Sequence, residues 1–376
     1  MGYYTKNGGL IGFGNVSDKR GVYDLIASQL IGDALFSFSS FTFTSPNQDP
    51  FAPSSSDITS QTAYSNTTWA SDTTYFNVQN GIQYFKIPAS GTYRITAIGP
   101  VGKNPGGSNY IGYGGKVRGD FNLVKNDILA ILVGQSAPTS NATTRYWQGG
   151  SGGTFVATVS SVGGNTTATP LLVAGGGTSV RNTAERARAD ANMSPNGKTG
   201  SGSAAGTQGS EAAGGGHNQT GGGGAAGWSG VGDAHGDTRN LYVPTGYPGN
   251  TTSTAYLPAR GFILSSSPGI GGLFNTAYDT TYRGSGGFGG GGPGGWGGTG
   301  GGGGYSGGGN DSNGGYAGGG GSFISSDASN VGTSTGSWSS GSGAYSGHSI
   351  LATVYSGLTN LGYNTNTTGS VILELL

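Results

Sequence analysis

Few residues in this 376-residue chain have the type and spacing that catalysis or metal binding requires. The run Asp233-Ala-His235-Gly-Asp237 offers two carboxylates and one imidazole, a set that could ligate a metal ion. The other two histidines, His217 and His348, are not close to it in the sequence, and the chain has no cysteine. We therefore expect no bound metal ion and no cofactor.

Other catalytic motifs are incomplete. Gly197-Lys198-Thr199 matches the end of a phosphate-binding loop, but that motif needs glycine where this chain has Asn192. Matches to Gly-x-Gly-x-x-Gly recur throughout 286–321, where the abundance of glycine makes them uninformative. No Gly-x-Ser-x-Gly motif precedes a predicted helix. Glutamate, which glycosidases use in pairs, occurs only at Glu185, Glu211 and Glu374. We expect that the chain is not an enzyme.

The composition excludes several classes of partner. Glycine provides 82 residues and charged residues only 9%, against roughly 25% in ordinary domains. Lys plus Arg equals Asp plus Glu at 17 each, so no net charge attracts nucleic acid. No apolar run is long enough for a membrane span or a signal peptide, which predicts synthesis in a cytoplasm and no membrane insertion. Aromatic residues at 10% argue against disorder of the whole chain.

In the stretch 293–305 every position between the third ones is glycine, and the third positions are Pro293, Trp296, Thr299, Gly302 and Tyr305. Three residues per turn is the repeat of a polyproline-II helix, and bare glycine edges would let neighbouring backbones bond to each other. We expect a bundle of polyglycine-II helices; a disordered glycine tract fits the composition equally well, and collagen fits poorly. The structural glycines of this helix would be Gly294, Gly295, Gly297, Gly298, Gly300 and Gly301.

Alternation of apolar and polar residues predicts β-strands on both sides of the glycine-rich region. Residues 81–87 and 92–98 are predicted to form a hairpin through the turn 88–91. The segment 181–190 is the one plausible internal helix. The other predicted strands are 36–44, 116–124, 127–133, 154–159, 170–174, 322–325, 349–355 and 370–376.

These strands predict an all-β fold, a jelly roll or β-sandwich that a glycine-rich insertion splits in two. The predicted parts are an N-terminal docking arm at 1–34, the sandwich at 35–174, a polyglycine-II insertion at 175–321 and closing strands at 322–376. The alternative is two modules, a sandwich followed by a free glycine tail. For the arm the alternative is a frayed terminus.

Six motifs, taken in order, resemble the glycine-rich family that includes the ectodomains of anaplastic lymphoma kinase and leukocyte tyrosine kinase. The motifs lie at 91–95, 114–116, 131–135, 152–156, 171–177 and 286–292. The resemblance implies a tumour-necrosis-factor-like sandwich with an insertion of packed polyglycine helices, closed here by Ser322-Phe-Ile324. The chain lacks those receptors' cysteines, signal peptide and kinase, so receptor signalling is not implied.

Residues 1–93 resemble tail-fibre and adhesin-like structural proteins of marine bacteriophages. The motifs are Gly8-Gly-Leu-Ile-Gly12, Gly21-Val-Tyr-Asp-Leu25, Phe41-Thr-Phe-Thr44, 68–75, 81–84 and 88–93. This resemblance implies a virion protein whose partners are other tail or fibre proteins, bound through 1–34, and a host-cell receptor, either a glycan or an outer-membrane protein. It also implies a homo-oligomer, with a trimer favoured.

Aromatic residues in the glycine-rich region are our candidates for receptor contacts, because aromatic loop residues bind at low entropic cost. The candidates are Trp228, Tyr242, Tyr247, Tyr256, Tyr278, Tyr282 and Trp296. Packing between glycine helices is the alternative role for these side chains. The alternative function is a purely architectural subunit, such as a head fibre or filament. A secreted receptor-ligand module is a third, which the absent signal peptide disfavours.

Overall fold

The computed structural model describes residues 3–4, 10–11, 34–46, 49–102, 111–138, 148–179, 186–201, 209–216, 222–233, 256–274, 284–295, 298–311, 316–334, 359–360 and 368–376. These residues form the strands β1 (Tyr3–Tyr4), β2 (Leu10–Ile11), β3 (Ser40–Thr44), β4 (Phe76–Gln79), β5 (Ile82–Lys86), β6 (Gly91–Ile98), β7 (Lys116–Leu123), β8 (Ile128–Leu132), β9 (Thr154–Val159), β10 (Thr169–Ala174), β11 (Tyr256–Leu257), β12 (Leu273–Phe274), β13 (Phe323–Ile324), β14 (Ser329–Ser334), β15 (Thr359–Asn360) and β16 (Ser370–Leu375). The short helices are α1 (Ser55–Thr59), α2 (Thr62–Ser65), α3 (Arg186–Ala189) and a 3₁₀ turn at Asn165–Thr167.

Twelve strands form two six-stranded sheets. Sheet I has the order β13-β10-β9-β8-β5-β4, and sheet II has the order β15-β14-β7-β6-β16-β3. Neighbours are antiparallel, except that β14 and β15 run parallel. The space between the sheets is filled by fully buried side chains such as Phe85 and Ile131 of sheet I and Tyr93, Val117 and Leu373 of sheet II. The prediction of an all-β sandwich is confirmed.

The predicted hairpin between 81–87 and 92–98 is wrong. β5 pairs with β4 and β8 in sheet I, whereas β6 pairs with β7 and β16 in sheet II. The turn between them carries the chain from one sheet to the other, because Phe85 and Tyr93 must face the same core from opposite sides. Apolar alternation marks a buried face, but it does not say which strand lies alongside.

The first predicted strand, 36–44, is shorter in the structure, whereas the last, 370–376, is present over nearly its full length as β16. β3 begins only at Ser40; the preceding Phe36 and Phe38 pack against the core rings of Tyr75 and Phe85, with centroids 4.9 and 5.2 Å apart. β16 lies between β3 and β6, so residues from opposite ends of the sequence complete sheet II. Residues 349–355, 181–185 and most of 1–34 lie outside the described residues.

The central strand β8 of sheet I is buried on both faces, which explains its continuous apolar run. In β8, Leu129 and Ile131 face sheet II, while Ala130 and Leu132 face away. The outward side chains form a second core with residues of the glycine-rich region, namely Ala212, Trp228, Phe262 and Phe288. The glycine-rich region therefore packs on the outer face of sheet I.

Backbone hydrogen bonds between glycine-rich runs repeat every three residues. Gly300 and Gly303 donate to the carbonyls of Gln148 and Ser151 at 2.9 and 2.8 Å, so a step of three on one run matches a step of three on its neighbour. Six more pairs of N–H donors that are three residues apart bond to carbonyls that are also three residues apart. The donor pairs are Gly302 and Tyr305, Gly150 and Gly153, Gly223 and Ala226, Gly318 and Gly321, Gly99 and Gly102, and Gly112 and Gly115. A step of three residues is also the repeat of a polyproline-II-type helix. The polyglycine-II bundle itself stays a prediction.

Successive N–H groups along one run point to different neighbours. Gly300 donates to Gln148, Gly301 to Gly223 and Gly302 to Gly318, so three other runs surround this one. A run with three hydrogen-bonded neighbours differs from a β-strand, which has at most two neighbours in a sheet. We call the bonded runs the glycine lattice; they comprise 99–102, 112–115, 148–153, 175–178, 222–226, 286–293, 300–309 and 318–321.

Glycine is required inside the lattice by close approach. A Cβ atom on Gly301 would overlap the carbonyl group of Gly308, and backbone atoms cannot move aside as a flexible side chain can. Lattice runs also occur before the predicted insertion at 175–321. Gly99 directly follows β6 and Gly115 directly precedes β7, so these sandwich strands continue into the lattice.

The stretch 293–305 is not one helix, contrary to prediction. Gly295 and Gly298 donate to each other's carbonyls, both at 3.0 Å, and Gly292 donates to Gly301 at 2.8 Å. The run that precedes 296–297 and the run that follows it are therefore antiparallel neighbours, because these pairs have an antiparallel register. The structural glycines Gly294, Gly295, Gly298, Gly300 and Gly301 consequently belong to two adjacent runs; Gly297 lies outside the described residues.

Candidate functional site

One group of residues, within or close to the lattice runs, includes the flanks of several segments that lie outside the described residues. We call this group the anchor cluster. It consists of Gly216, Gly222, Asp233, Gly284, Gly294, Gly295, Gly298, Thr299, Asn310 and Asp311.

Asn310 joins the two flanks of segment 217–221. Its backbone N–H donates to the carbonyl of Gly216 at 3.4 Å, and its side-chain Nδ2 donates to the carbonyl of Gly222. The residue is fully buried. Because only an N–H can bond the Gly222 carbonyl, the orientation of the amide is fixed. Its Oδ1 has no hydrogen-bond partner among the described residues.

Asp311 joins a flank of segment 312–315 to Thr299, which lies near a flank of segment 296–297. Its carboxylate accepts the backbone N–H of Thr299, and its own N–H donates to the Thr299 carbonyl at 3.4 Å. Thr299 Oγ1 in turn accepts the N–H of Ala317 at 3.2 Å. Thr299 thus bonds residues on both sides of segment 312–315, namely Asp311 and Ala317.

The remaining anchors are backbone bonds between glycine runs. Gly294 donates to the carbonyl of Gly284 at 2.5 Å, which fixes the end of segment 275–283 beside the Gly295–Gly298 turn. Gly224 donates to the carbonyl of Asp233 at 3.1 Å, which fixes the start of segment 234–255. Segments that are distant in sequence thus start or end at one place in the lattice.

The opposite flanks of the two longer segments also meet. β11 and β12 are antiparallel, and Tyr256 lies opposite Phe274. One flank of segment 234–255 therefore lies beside one flank of segment 275–283.

The predicted contact residues fall into two groups. Trp228 is only 6% exposed, and its ring packs on Phe262 and Phe155 in the second core, so it is not available to a receptor. The prediction that Trp228 contacts a receptor is therefore wrong, because its ring is buried. Tyr256 has a described backbone position in β11. The other five candidates, Tyr242, Tyr247, Tyr278, Tyr282 and Trp296, lie outside the described residues, in segments flanked by the anchor cluster.

Asn310 and Asp311 were not singled out from the sequence. Their position in the sequence could have indicated a structural role. They are the only amide and the only carboxylate in the glycine-rich stretch 300–311, and they are adjacent. A buried carboxylate or amide needs a hydrogen-bond partner, and in a lattice without other side chains that partner is the backbone.

A cavity of about 440 Å³ lies elsewhere, on the sandwich beside α1, α2 and β4. Hydroxyl and amide side chains dominate its lining, and no charged side chain contributes. Tyr64 lies at its inner wall, where its Oη donates to Gln83 Oε1 at 2.6 Å. Burial raises the pKa of the Tyr64 phenol, so it remains a protonated donor. No pattern in the sequence indicates this cavity.

Within the described part of the chain, no cluster of three or more His, Cys, Asp or Glu residues is placed to hold a metal ion. None of the helices described here is long and apolar enough to cross a lipid bilayer. No model of a known protein family matches this chain.

Proposed function

We propose that this chain is a virion structural protein of a bacteriophage, a tail-fibre or adhesin subunit that presents the segments held by the anchor cluster to the host-cell surface. One observation carries the proposal. Five of the six remaining aromatic candidates belong to segments that have at least one flank in the anchor cluster: Tyr242 and Tyr247 in 234–255, Tyr278 and Tyr282 in 275–283, and Trp296 in 296–297. The sixth, Tyr256, lies in β11 at the other flank of 234–255.

The glycine lattice suits the task of presentation. Its runs are joined by backbone hydrogen bonds to several neighbours at once, so the anchors are held without a large apolar core. Segments fixed at their flanks can vary in sequence while the scaffold stays unchanged. Tyrosine and tryptophan on such segments provide large contact areas at a low cost in side-chain entropy. The expected partner is a glycan or an outer-membrane protein of the host.

The same proposal assigns residues 1–34 to assembly. They precede the sandwich and would dock on other tail or fibre proteins, in a homo-oligomer for which a trimer is favoured. The protein would be made in the host cytoplasm and reside in the virion.

Adsorption of intact particles tests the contact surface. We expect Tyr247→Ala and Tyr278→Ala to lower adsorption to host cells by about tenfold or more each, because aromatic contact residues often contribute 2 kcal/mol or more, at about 1.4 kcal/mol per factor of ten. The control is Val162→Ala, on a sandwich turn far from these segments in sequence and partly exposed. If both tyrosine variants adsorb like the control, the architectural alternative replaces the adhesin proposal.

Deletion of residues 1–34 tests the arm separately. We expect the shortened protein to keep the circular-dichroism spectrum of the sandwich but to be absent from purified particles. Normal incorporation of the shortened protein would contradict the docking assignment and leave the adhesin proposal untouched.

A further inference from the structure

The cavity beside α1, α2 and β4 has the size and chemistry of a ligand site. Its volume, about 440 Å³, lies within the roughly 300–1,000 Å³ typical of small-molecule pockets. Eight of its eleven lining residues carry a hydroxyl or carboxamide group. The remaining three are Ala70, Phe76 and Val78.

Part of this polar lining is free to bind a ligand. Among the described residues, the side chains of Ser55, Ser71, Thr73 and Asn77 have no hydrogen-bond partner. A serine or threonine hydroxyl donates once and accepts twice, and the asparagine amide offers two donors and an acceptor. The cavity therefore presents mixed donors and acceptors, which match a ligand rich in hydroxyl groups.

The rest of the lining holds the cavity in shape. Thr59 Oγ1 donates to the Ser55 carbonyl at 2.9 Å, and Thr67 Oγ1 donates to the Tyr64 carbonyl at 2.8 Å. The α1 helix begins with a capping box, in which Ser54 and Asp57 bond each other's backbone N–H groups. A site whose walls are already ordered loses less entropy when it binds a ligand.

The local charge selects against acidic ligands. None of the eleven lining residues carries a charge, and the carboxylate residue Asp72 lies between the lining residues Ser71 and Thr73. Like charges near a binding site disfavour an anionic ligand. No cation of the lining would offset them.

We propose that this cavity binds a neutral saccharide unit through Ser55, Ser71, Thr73 and Asn77. The aromatic rings of Tyr64 and Phe76 are buried, so recognition relies on hydrogen bonds rather than on stacking. This site is separate from the anchor cluster and does not depend on the function proposed for it.

Two adjacent threonines provide a matched pair of variants. Thr73 lines the cavity, whereas Thr74 does not, and both side chains are exposed. Thr73→Phe would fill the cavity with a ring, and Thr74→Phe would add the same ring outside it. Equal melting temperatures of the two variants would show that both remain folded.

Saturation-transfer NMR on the full chain provides the measurement, with a panel of neutral oligosaccharides and a panel of sialylated and uronate-containing ones. We expect transfer to at least one neutral oligosaccharide, retained in Thr74→Phe and weakened tenfold or more in Thr73→Phe. Asn77→Ala, which removes an amide without filling the cavity, should weaken it as well. The proposal is overturned if no neutral saccharide binds, if only acidic ones bind, or if Thr73→Phe binds like Thr74→Phe.

Discussion

The ring of Trp228 stacks on the ring of Phe262, with centroids 4.7 Å apart and planes inclined by 22°. Phe155 of β9 stacks on the same Phe262 ring at 5.3 Å. Side chains from the glycine-rich region and from sheet I therefore share one core. The glycine lattice is thus packed on the sandwich through aromatic contacts as well as joined to it through the chain.

Trp228→Ala should destabilise the protein strongly. Truncation of a buried tryptophan leaves a cavity and typically costs about 3–5 kcal/mol. The free energy of unfolding, from urea denaturation, should fall by that amount. Val231→Ala, three residues away and 49% exposed, is the control and should change it by about 0.5 kcal/mol at most. Equal effects of the two substitutions would contradict the shared core.

Gly301→Ala should be far more costly than an alanine substitution outside the lattice. The new Cβ would overlap the backbone of Gly308, so two lattice runs would have to separate. Overpacking of this kind costs about 1–3 kcal/mol, and sometimes more. At Gly91 the one close contact of the same Cβ would be the end of the Leu375 side chain, at 2.8 Å, which can rotate away. A Gly301→Ala melting temperature equal to that of Gly91→Ala would refute close backbone packing.

Truncation after Gly321 should prevent folding of the sandwich. It removes β16, which pairs with both β3 and β6, and exposes the edges of those strands. We expect aggregated protein in size-exclusion chromatography. A soluble fragment 1–321 that unfolds cooperatively would instead support two independent modules.

Asp120→Asn should reduce the dependence of stability on acid pH. Arg94 lies opposite Asp120 on β6 and β7, and its guanidinium donates to both carboxylate oxygens at 2.8 and 2.9 Å. Burial alone would raise the pKa of Asp120, but the hydrogen bonds from Arg94 and Asn330 hold it below the ordinary value of 3.8. The stabilisation is therefore complete above pH 3.8 and is lost as the pH falls below that value.

Urea denaturation between pH 7 and pH 2.5 measures this effect. The variant should be less stable than the wild type at pH 7, and the difference should shrink below pH 3.8. A difference that stays constant across this range would show that the ion pair does not link folding to proton binding.

The position of most strands was predictable from the sequence, because alternation is a local property of the chain. Strand β9 at Thr154–Val159 agrees with its prediction at both ends, and β7 and β8 agree within one residue. The abundance of glycine also indicated backbone-to-backbone packing, since only residues without a Cβ permit it.

The predicted helix at 293–305 shows the limit of such reasoning. A glycine-rich stretch with a side chain at each third position fits one straight helix, yet it fits a reversal equally well, because glycine adopts turns without strain. The bonds between Gly295 and Gly298 selected the reversal. No local pattern distinguishes the two.

The sequence alone thus determined an all-β fold, the approximate strands and a glycine-rich region capable of close packing, all of which depend on residues near one another in the chain. Only the tertiary structure decided that β16 lies between β3 and β6, that Trp228 is buried, and that Asn310 closes segment 217–221. The cavity beside α1 and α2 likewise exists only after folding. These features depend on contacts between residues far apart in sequence, and the free energy of such contacts has no periodic signature along the chain.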